Sequence, residues 1–482
     1  MKKILILTFA LCTILMSGCK KYLDVKPKGY TIPEFYDDYV RLLNNQALFR
    51  VSSAYPNYLT DDVRGGDDND QNKGAVYTRY SLFKRNLFEF KNGSVFDQGE
   101  SDPFWEPSYS HIYVYNTIIN NIEKVPNGSE REKKQLKAEA LVGRAFEYLT
   151  LVNAYARHYD PATAATDLGV PLVLSEDINK SYKRNTVSEV YTQIKKDLEE
   201  ALPNLATTVP QRFHPMKSVA YAFLSRMYLY MGNYSEALVN VKEALKLDSY
   251  LEDYNIYTTK KGTFGRVCTK ANENISFPDA QNNKEAIWIR LGAASSGQIF
   301  AEVYASDDLL KTYRDNLPTG AVDQRLALFY CDGKAQFGSN VVLFPGKVLW
   351  AAYTEFNTGF STPELYLIAA ECEARVGTKE KSVEYLNTLR SKRIVGNSTV
   401  SASTNDEALK MALDERRREM PYLGTTRLVD LKRLNKDPRF AKTITHTHGA
   451  LSFTLPANDS RYILPVPPKV LALNPDIAVY ER

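Results

Sequence analysis

The sequence predicts a mostly α-helical protein in which helical hairpins form a platform that carries a loop-rich, irregular lobe with a few short strands. Two observations predict this fold class. Apolar residues recur at steps of three and four along several long segments, which is the spacing of an amphipathic helix. Between them, residues 51–105 and 251–362 are rich in Gly, Asn, Asp, Ser and aromatic residues and lack that periodicity. We call these two stretches the variable lobe, and the helical remainder, about 30–50, 106–250 and 363–482, the platform.

The first element along the chain is an export signal. After a basic start, residues 4–16 form an apolar run that is too short to span a membrane, and two small residues precede Cys19. This pattern resembles a bacterial lipoprotein signal; the alternative is a plain secretory signal with a chance cysteine. We expect residues 1–18 to be removed, Cys19 to be lipidated, and residues 19–29 to form a flexible tether to a single body, residues 30–482.

The platform is predicted from its helices. Amphipathic stripes indicate helices at residues 108–124, 134–158 and 186–202. A hairpin of two helices follows at residues 215–248, where Gly232 can end the first helix. It resembles a tetratricopeptide repeat, and the small and aromatic positions of that motif are occupied by Tyr228, Gly232, Tyr234, Ala237 and Ala244. Such a hairpin buries one face only by stacking on neighbours, so further copies are expected, one of them degenerate at residues 364–393.

The variable lobe is predicted to contain short strands and loops. "EAIWIRL" at residues 285–291 and "NVVLF" at residues 340–344 have strand composition, and Gly and Pro punctuate the remainder. Trp105 and Trp288 are expected in the core. Because binding sites often lie on loops held by a rigid scaffold, the ligand is expected in this lobe.

The charge balance excludes one class of partner. The chain carries a net charge of +4, and removing residues 1–18 takes away two lysines and no acid, which leaves +2. Nucleic-acid binding normally requires a concentrated basic surface, so no nucleic-acid partner is expected.

Four segments, in order along the chain, together resemble the SusD/RagB family of outer-membrane nutrient-binding lipoproteins. They are "CKKYLDVKPKG" at 19–29, the hairpin at 215–248, "ERRREMPYLGTTRLVDLKRL" at 415–434 and "LPVPPKVLALNP" at 464–475. The resemblance implies a tetratricopeptide-like platform that cradles an irregular lobe. It also implies a lipid-anchored protein on the outer membrane, facing the cell exterior.

The family resemblance further implies a non-catalytic function. Such a protein captures oligosaccharides and hands them to a SusC-like TonB-dependent transporter, which it covers as a lid. The same architecture binding peptides is the first alternative. A surface glycoside hydrolase and a repeat-based assembly scaffold are the others.

The first group of candidate ligand residues lies in the acidic loop at residues 58–74. In the family that the chain resembles, the loop after an Asp-Asp-Val segment often supplies ligand contacts, so contacts are expected from the polar residues Arg64, Asp68, Asn69 and Asp70; a solvated acidic turn is the alternative for each of them. Asp68 and Asp70 also begin a calcium-loop spacing, but Lys73 and Arg79 replace its glycine and its bidentate glutamate. A calcium site is therefore the minor alternative, and no cofactor is expected.

The second group consists of aromatic residues, because a sugar stacks its C–H face on a ring while its hydroxyls need polar partners. The candidates in the variable lobe are Tyr77, Tyr80, Trp350 and Tyr353. Trp350 is the leading candidate among them.

Two further clusters of polar residues are interpreted as structural. Glu415, Arg416 and Glu419 lie at helical spacing, as do Asp430 and Arg433, which indicates an ion-pair network rather than a catalytic pair. His446-Thr-His448 has no acid or cysteine at ligand spacing, so a solvated loop is expected there and not a metal site.

Overall fold

The computed structural model describes residues 33–51, 54–66, 74–177, 179–259, 267–269, 277–292, 302–315, 317–337, 339–349, 357–396 and 398–482. Helices dominate these residues, which confirms the predicted fold class. The helices are α1 (Tyr36–Leu43), α2 (Leu82–Phe88), α3 (Trp105–Asn121), α4 (Glu130–Tyr155), α5 (Val187–Ala201), α6 (Lys217–Tyr230), α7 (Tyr234–Leu247), α8 (Asp307–Thr312), α9 (Gln324–Phe329), α10 (Thr362–Val376), α11 (Lys379–Arg390), α12 (Asn405–Glu419), α13 (Thr426–Leu434) and α14 (Pro468–Leu473). Within the described ranges, none of them combines the length and the apolar character that crossing a bilayer requires.

The strands are short and pair two by two. They are β1 (Arg50–Val51), β2 (Val63–Arg64), β3 (Tyr257–Thr259), β4 (Val267–Thr269), β5 (Ala286–Trp288), β6 (Leu291–Gly292), β7 (Tyr304–Ala305), β8 (Val322–Asp323), β9 (Tyr330–Phe337), β10 (Asn340–Leu349), β11 (Phe360–Ser361), β12 (Ile394–Val395), β13 (Ile444–His448) and β14 (Leu451–Leu455). β1 and β6 are parallel, whereas β2 with β7, β9 with β10 and β13 with β14 are antiparallel. Both predicted strand regions are confirmed, the first as β5 and β6 and the second within β10.

The hairpin predicted at residues 215–248 is confirmed as α6 and α7. Gly232 lies between them with a φ of +74°, a conformation that residues with a Cβ rarely adopt. Asn233 then caps α7 by accepting a hydrogen bond from the Glu236 N–H at 3.2 Å. The degenerate copy is α10 and α11, and α7 packs against α10, so the two hairpins stack.

The two helices that precede this hairpin begin at capping boxes. The Ser129 hydroxyl accepts from the Glu132 N–H at 3.3 Å, and the Glu132 carboxylate accepts from the Ser129 N–H at 2.8 Å. Thr186 and Glu189 repeat the arrangement at the start of α5. Each box satisfies two N–H groups that would otherwise lack partners, which explains where α4 and α5 start.

The first part of the variable lobe is packed into the body. The five residues of a 3-10 turn, Tyr55–Leu59, are all buried. Tyr55 and Phe88 belong to the same hydrophobic cluster as Tyr155 of α4. Both tryptophans expected in the core are confirmed there, Trp105 with 4% of its surface exposed and Trp288 with none.

The expectation of a solvated loop at residues 446–448 was wrong. These residues lie in β13, which forms a hairpin with β14. His446 is buried, and its two ring nitrogens lie 2.8 Å from the carbonyl oxygens of Phe88 and Thr60. A histidine between two carbonyls and against a phenylalanine ring is a structural residue, so β13 closes over the first part of the lobe.

Candidate functional site

Eight residues are predicted to contact a ligand, and the structure describes three of them. The five that lie outside the described residues are Asp68, Asn69, Asp70, Trp350 and Tyr353. The three that it describes are Arg64, Tyr77 and Tyr80. In the part of the chain that the structure describes, no group of three or more His, Cys, Asp and Glu side chains is arranged to hold a metal ion.

The five undescribed candidates lie in two stretches of the chain, residues 67–73 and 350–356. The described residues next to these two stretches meet at one edge of the lobe. β2 pairs with β7. Gly66 lies just past β2, and Gly74 donates its N–H to the Leu343 carbonyl of β10 at 2.6 Å. β10 ends at Leu349, directly before Trp350. We call the region formed by β2, β7, β10 and residues 66 and 74 the lobe edge, and both predicted groups of ligand residues are attached to it.

Arg64 is exposed on this lobe edge and its guanidinium is held in place. The group lies over the ring of Tyr304, 5.0 Å from the ring centroid. Tyr304 is buried and donates its hydroxyl to the Gly74 carbonyl at 3.0 Å. A Cβ at Gly346 would lie 2.7 Å from the Arg64 Nη2, so the guanidinium lies close to the backbone of β10. Arg64 therefore presents planar donors on an exposed surface, where a ligand can reach them.

Tyr77 and Tyr80 are not surface platforms, and the prediction that they stack on a ligand needs correction. Each has 6% of its surface exposed. Tyr77 is stacked on His448 of β13 with ring centroids 4.0 Å apart, and Tyr80 makes an edge contact with Tyr58 at 5.1 Å. β13 covers Tyr77, and Tyr80 packs against Tyr58, Tyr77 and Phe88, so both rings belong to the core.

The lobe edge also holds a polar residue that the sequence analysis missed. Glu302 precedes β7 and its side chain is 44% exposed. Its carboxylate accepts hydrogen bonds from the buried Lys84 Nζ at 2.5 Å and from the Tyr58 hydroxyl at 2.8 Å. Burial, and after it the Glu302 charge, raises the pKa of Tyr58 well above its usual value, so the phenol remains a donor. No sequence signal marks Glu302, because its partners lie more than 200 residues away.

The ion-pair network predicted for residues 415–434 is confirmed. Glu415 is buried and pairs with Arg325 at 2.6 Å, Arg418 at 2.8 Å and Arg390 at 2.9 Å. Burial alone would raise the pKa of Glu415, but the three guanidinium groups outweigh burial and hold that pKa well below its usual range. Glu415 therefore stays ionised at neutral pH.

The network extends to the acids that precede the lobe edge. Asp61 accepts from Arg427 at 2.8 and 2.7 Å and from Lys442 at 2.6 Å, and Arg417 lies 3.2 Å away. Burial opposes ionisation of Asp61, but Arg427, Arg417 and Lys442 prevail and lower its pKa well below the usual value. An acid fixed in this state can neither donate a proton nor accept a ligand hydroxyl.

Two family models match the chain. The first, described as starch-binding associating with outer membrane, matches residues 21–229. The second, the SusD family, matches residues 362–479. Both matches cover mainly the platform, and the residues between them contain the second part of the variable lobe.

Individual relatives agree with these matches. SusD-like protein P2 of Formosa agariphila is 26% identical over 241 residues, so the match spans 48% of this chain and 44% of that relative, less than half of its length. A SusD superfamily protein of Bacteroides thetaiotaomicron has a TM-score of 0.70 at 21% identity, covering 93% of this chain and 100% of that one. A laminarin-binding SusD-like protein has a TM-score of 0.58 at 18% identity, covering 92% and 98%. At these identities the two structures share the fold with this chain.

Proposed function

This chain belongs to the SusD/RagB family, and on that premise we propose that it is a non-catalytic, cell-surface glycan-binding lipoprotein. It captures oligosaccharides and delivers them to a SusC-like TonB-dependent transporter in the outer membrane. The lipid on Cys19 anchors the protein to the outside of that membrane, and residues 19–29 are the tether. The starch-binding description of one family model and the laminarin-binding neighbour both support a glycan as the ligand class.

The lobe edge is the observation that carries this proposal. It presents the Arg64 guanidinium, which lies beside Gly346 of β10, and the half-exposed Glu302 carboxylate, and β10 ends one residue before Trp350 in the sequence. A guanidinium donates to sugar oxygens and a carboxylate accepts from sugar hydroxyls, so the pair supplies both kinds of hydrogen bond that a glycan needs.

Stacking on Trp350 contributes part of the affinity in this proposal. Covering about 100 Å² of ring stabilises the complex by roughly 2.5 kcal/mol before binding costs are deducted. Hydrogen bonds from the lobe edge then fix the orientation of the sugar. After the costs of association, capture at micromolar to millimolar concentrations is expected, which suits a protein that must release its cargo.

Asp61 and Glu415, two buried acids of the ion-pair network, do not have the charge state that a hydrolase requires of its general acid. Hydrolysis of a glycosidic bond needs a carboxyl group whose pKa is raised so that it can donate a proton to the leaving oxygen. Asp61 and Glu415 instead have pKa values well below the usual range. Neither of these acids fits the role of general acid.

Titration calorimetry with a panel of neutral hexasaccharides, and chromatography of the mixtures, tests the proposal. We expect an oligosaccharide of the panel to bind without product formation. The Trp350→Ala variant should bind it about tenfold more weakly, the loss expected for one stacking ring, with nearly unchanged thermal stability. Product formation would establish the hydrolase alternative, and binding of peptide digests alone the peptide alternative. A large fall in melting temperature would show that Trp350 is a core residue.

The anchor and the partner are tested separately. Mass spectrometry of protein purified from membranes should find an acylated cysteine at residue 19, and affinity purification should recover a porin-like transporter. An unmodified, freely released N-terminus would contradict the anchor, while recovery without a transporter would contradict delivery. Neither result would affect the calorimetry, so glycan binding is judged independently.

A further inference from the structure

The platform carries a concave surface that is separate from the lobe edge. It is a trough of about 680 Å³, open to solvent, between one face of α3, the stretch that contributes Pro171, Val173 and Tyr182, and α14. Its size falls in the range of small-ligand sites. Its lining combines three tyrosines and three other polar side chains with apolar side chains of α3 and α14: Tyr109, Tyr113, Tyr182, Glu106, Ser110, Asn474, Val114, Val470 and Leu473. It shares none of these residues with the lobe edge.

The rings of the trough are fixed before any ligand arrives. Tyr109 donates its hydroxyl to the Pro171 carbonyl at 3.0 Å, and the Tyr182 hydroxyl lies 3.1 Å from the Ser175 Oγ. Trp105 supports Tyr109 from below with ring centroids 5.1 Å apart. Tyr113, in contrast, is 46% exposed at the rim. Fixed rings with one exposed ring at the rim form a preorganised stacking surface.

The carboxylate of Glu106, which lies among the aromatic rings of the trough, has one oxygen without a hydrogen-bond partner among the described residues. Its Oε2 accepts from the Lys469 Nζ at 3.3 Å, and Lys469 also donates to the Ser101 Oγ at 2.7 Å. The other oxygen, Oε1, is buried and has no hydrogen-bond partner among the described residues. A buried acceptor without a partner costs free energy, which a ligand that brings a donor would recover.

The charges of Glu106 and Lys469 indicate whether the trough prefers a neutral or a cationic ligand. Because Lys469 already compensates the Glu106 carboxylate, the trough favours a neutral donor such as a hydroxyl over an ammonium group. The amide of Asn474 adds a planar polar partner, and the tyrosine rings offer faces for C–H groups. We propose that the trough is a second glycan-binding site that holds a short neutral oligosaccharide. The choice of glycan as the ligand class rests on the proposed function.

A second site changes how the protein holds a long polymer. A chain bound at the lobe edge has a raised effective concentration at the trough whenever it can reach both sites. The protein would then retain polymers more tightly than hexasaccharides, without tighter binding at either site.

The test uses laminarihexaose, maltohexaose and xylohexaose as probes and the full-length mature protein. Calorimetry compares wild type, Trp350→Ala, Tyr113→Ala and the double variant. Tyr250→Ala is the matched control, since Tyr250 is 42% exposed but lies outside the trough. We expect Trp350→Ala to retain a weak site, and Tyr113→Ala on that background to weaken it about tenfold. Glu106→Gln should weaken it by a smaller factor, with unchanged melting temperatures throughout.

The outcomes distinguish failure of the trough from failure of the lobe edge. The second site is refuted, while the proposed function stands, if Trp350→Ala abolishes all binding. The same conclusion follows if Tyr113→Ala lowers the affinity for the hexasaccharide no more than Tyr250→Ala does. If Tyr113→Ala removes all binding and Trp350→Ala removes none, the trough stands and the lobe edge is refuted as the glycan site. If none of the three hexasaccharides binds, or if only peptides bind, both proposals fail.

Discussion

The network around residues 415–434 and the lobe edge hold their charged groups in opposite ways. In the network, Glu415 is 1% exposed and meets three guanidinium groups. At the lobe edge, Arg64 is exposed and lies against an uncharged ring, and Glu302 is 44% exposed. The network pairs its acids with guanidinium groups inside the protein, whereas the lobe edge leaves hydrogen-bonding groups exposed for a ligand.

This difference indicates that a charged residue contributes to stability when it is buried and paired, and remains available for binding when it is exposed to solvent. Breaking a buried pair leaves an unpaired charge away from water and costs about 3–5 kcal/mol, whereas an exposed pair contributes about 0–1 kcal/mol. Variants in the network should therefore destabilise the protein, and variants at the lobe edge should change binding alone. Three further substitutions test this contrast.

The largest effect is expected for Asp61→Asn. The variant removes the charge that faces Arg427, whose nearest remaining carboxylate is Asp62 at 3.8 Å. We expect a loss of about 3–5 kcal/mol in the free energy of unfolding, because a buried guanidinium loses its partner. Urea titration followed by circular dichroism measures it.

An exposed aspartate supplies the control for this measurement. Asp332 is 57% exposed and makes one ion pair, to Lys347 at 3.0 Å. Asp332→Asn should change the free energy of unfolding by less than about 1 kcal/mol. Equal effects at positions 61 and 332 would refute the distinction between buried and exposed charge.

A second effect, of intermediate size, depends on pH. Asp102 is buried, and its hydrogen-bond donors, which include the hydroxyls of Tyr55 and Tyr155 and the Phe104 N–H, are uncharged. Burial raises the pKa of Asp102 to about 6, although hydrogen bonds act in the opposite direction, because no cation among the described residues offsets burial as the cations around Asp61 do. An acid whose folded pKa is raised destabilises the fold as pH rises, from its unfolded pKa near 4 to its folded pKa.

The Asp102→Asn variant isolates this effect, because asparagine does not titrate. We expect the melting temperature of wild type, relative to the variant, to fall between about pH 4 and about pH 6 and to stay level above that range. Differential scanning calorimetry at a series of pH values measures it. A difference that rises with pH would mean that Asp102 is stabilised as a carboxylate, as Asp61 is.

The sequence predicts the two regions unequally, and the reason is the distance between partners. The hairpins were predictable because their signals are local: a stripe at steps of three and four, and Gly232 at the turn. The burial of Tyr77 was not, because the strand that covers it, β13, lies more than 360 residues later. The periodicity of one segment carries no information about whether a strand from a distant part of the sequence packs over it.

The same reasoning applies to individual residues of the candidate site. Arg64 could be proposed from its place after an Asp-Asp-Val segment, whereas Glu302 has no such marker and is defined only by Lys84 and Tyr58. The ion-pair network was inferred from helical spacing, but its link to Asp61 joins residues more than 350 positions apart. Spacing predicted that these charges would be paired, and the fold supplied the partners.

The smallest effect on stability, and a clear effect on binding, is expected for Arg64→Ala. The side chain is exposed and its guanidinium contacts the ring of Tyr304, so the free energy of unfolding should change by less than about 0.5 kcal/mol. Loss of a charged donor to a sugar oxygen should weaken hexasaccharide binding about tenfold, since such hydrogen bonds contribute about 1.5 kcal/mol or more. Arg41→Ala is the matched control. Arg41 is 77% exposed and lies in α1, so its substitution removes the same charge away from the lobe edge. Equal losses of affinity in the two variants would mean that net charge, and not the geometry of the lobe edge, governs capture.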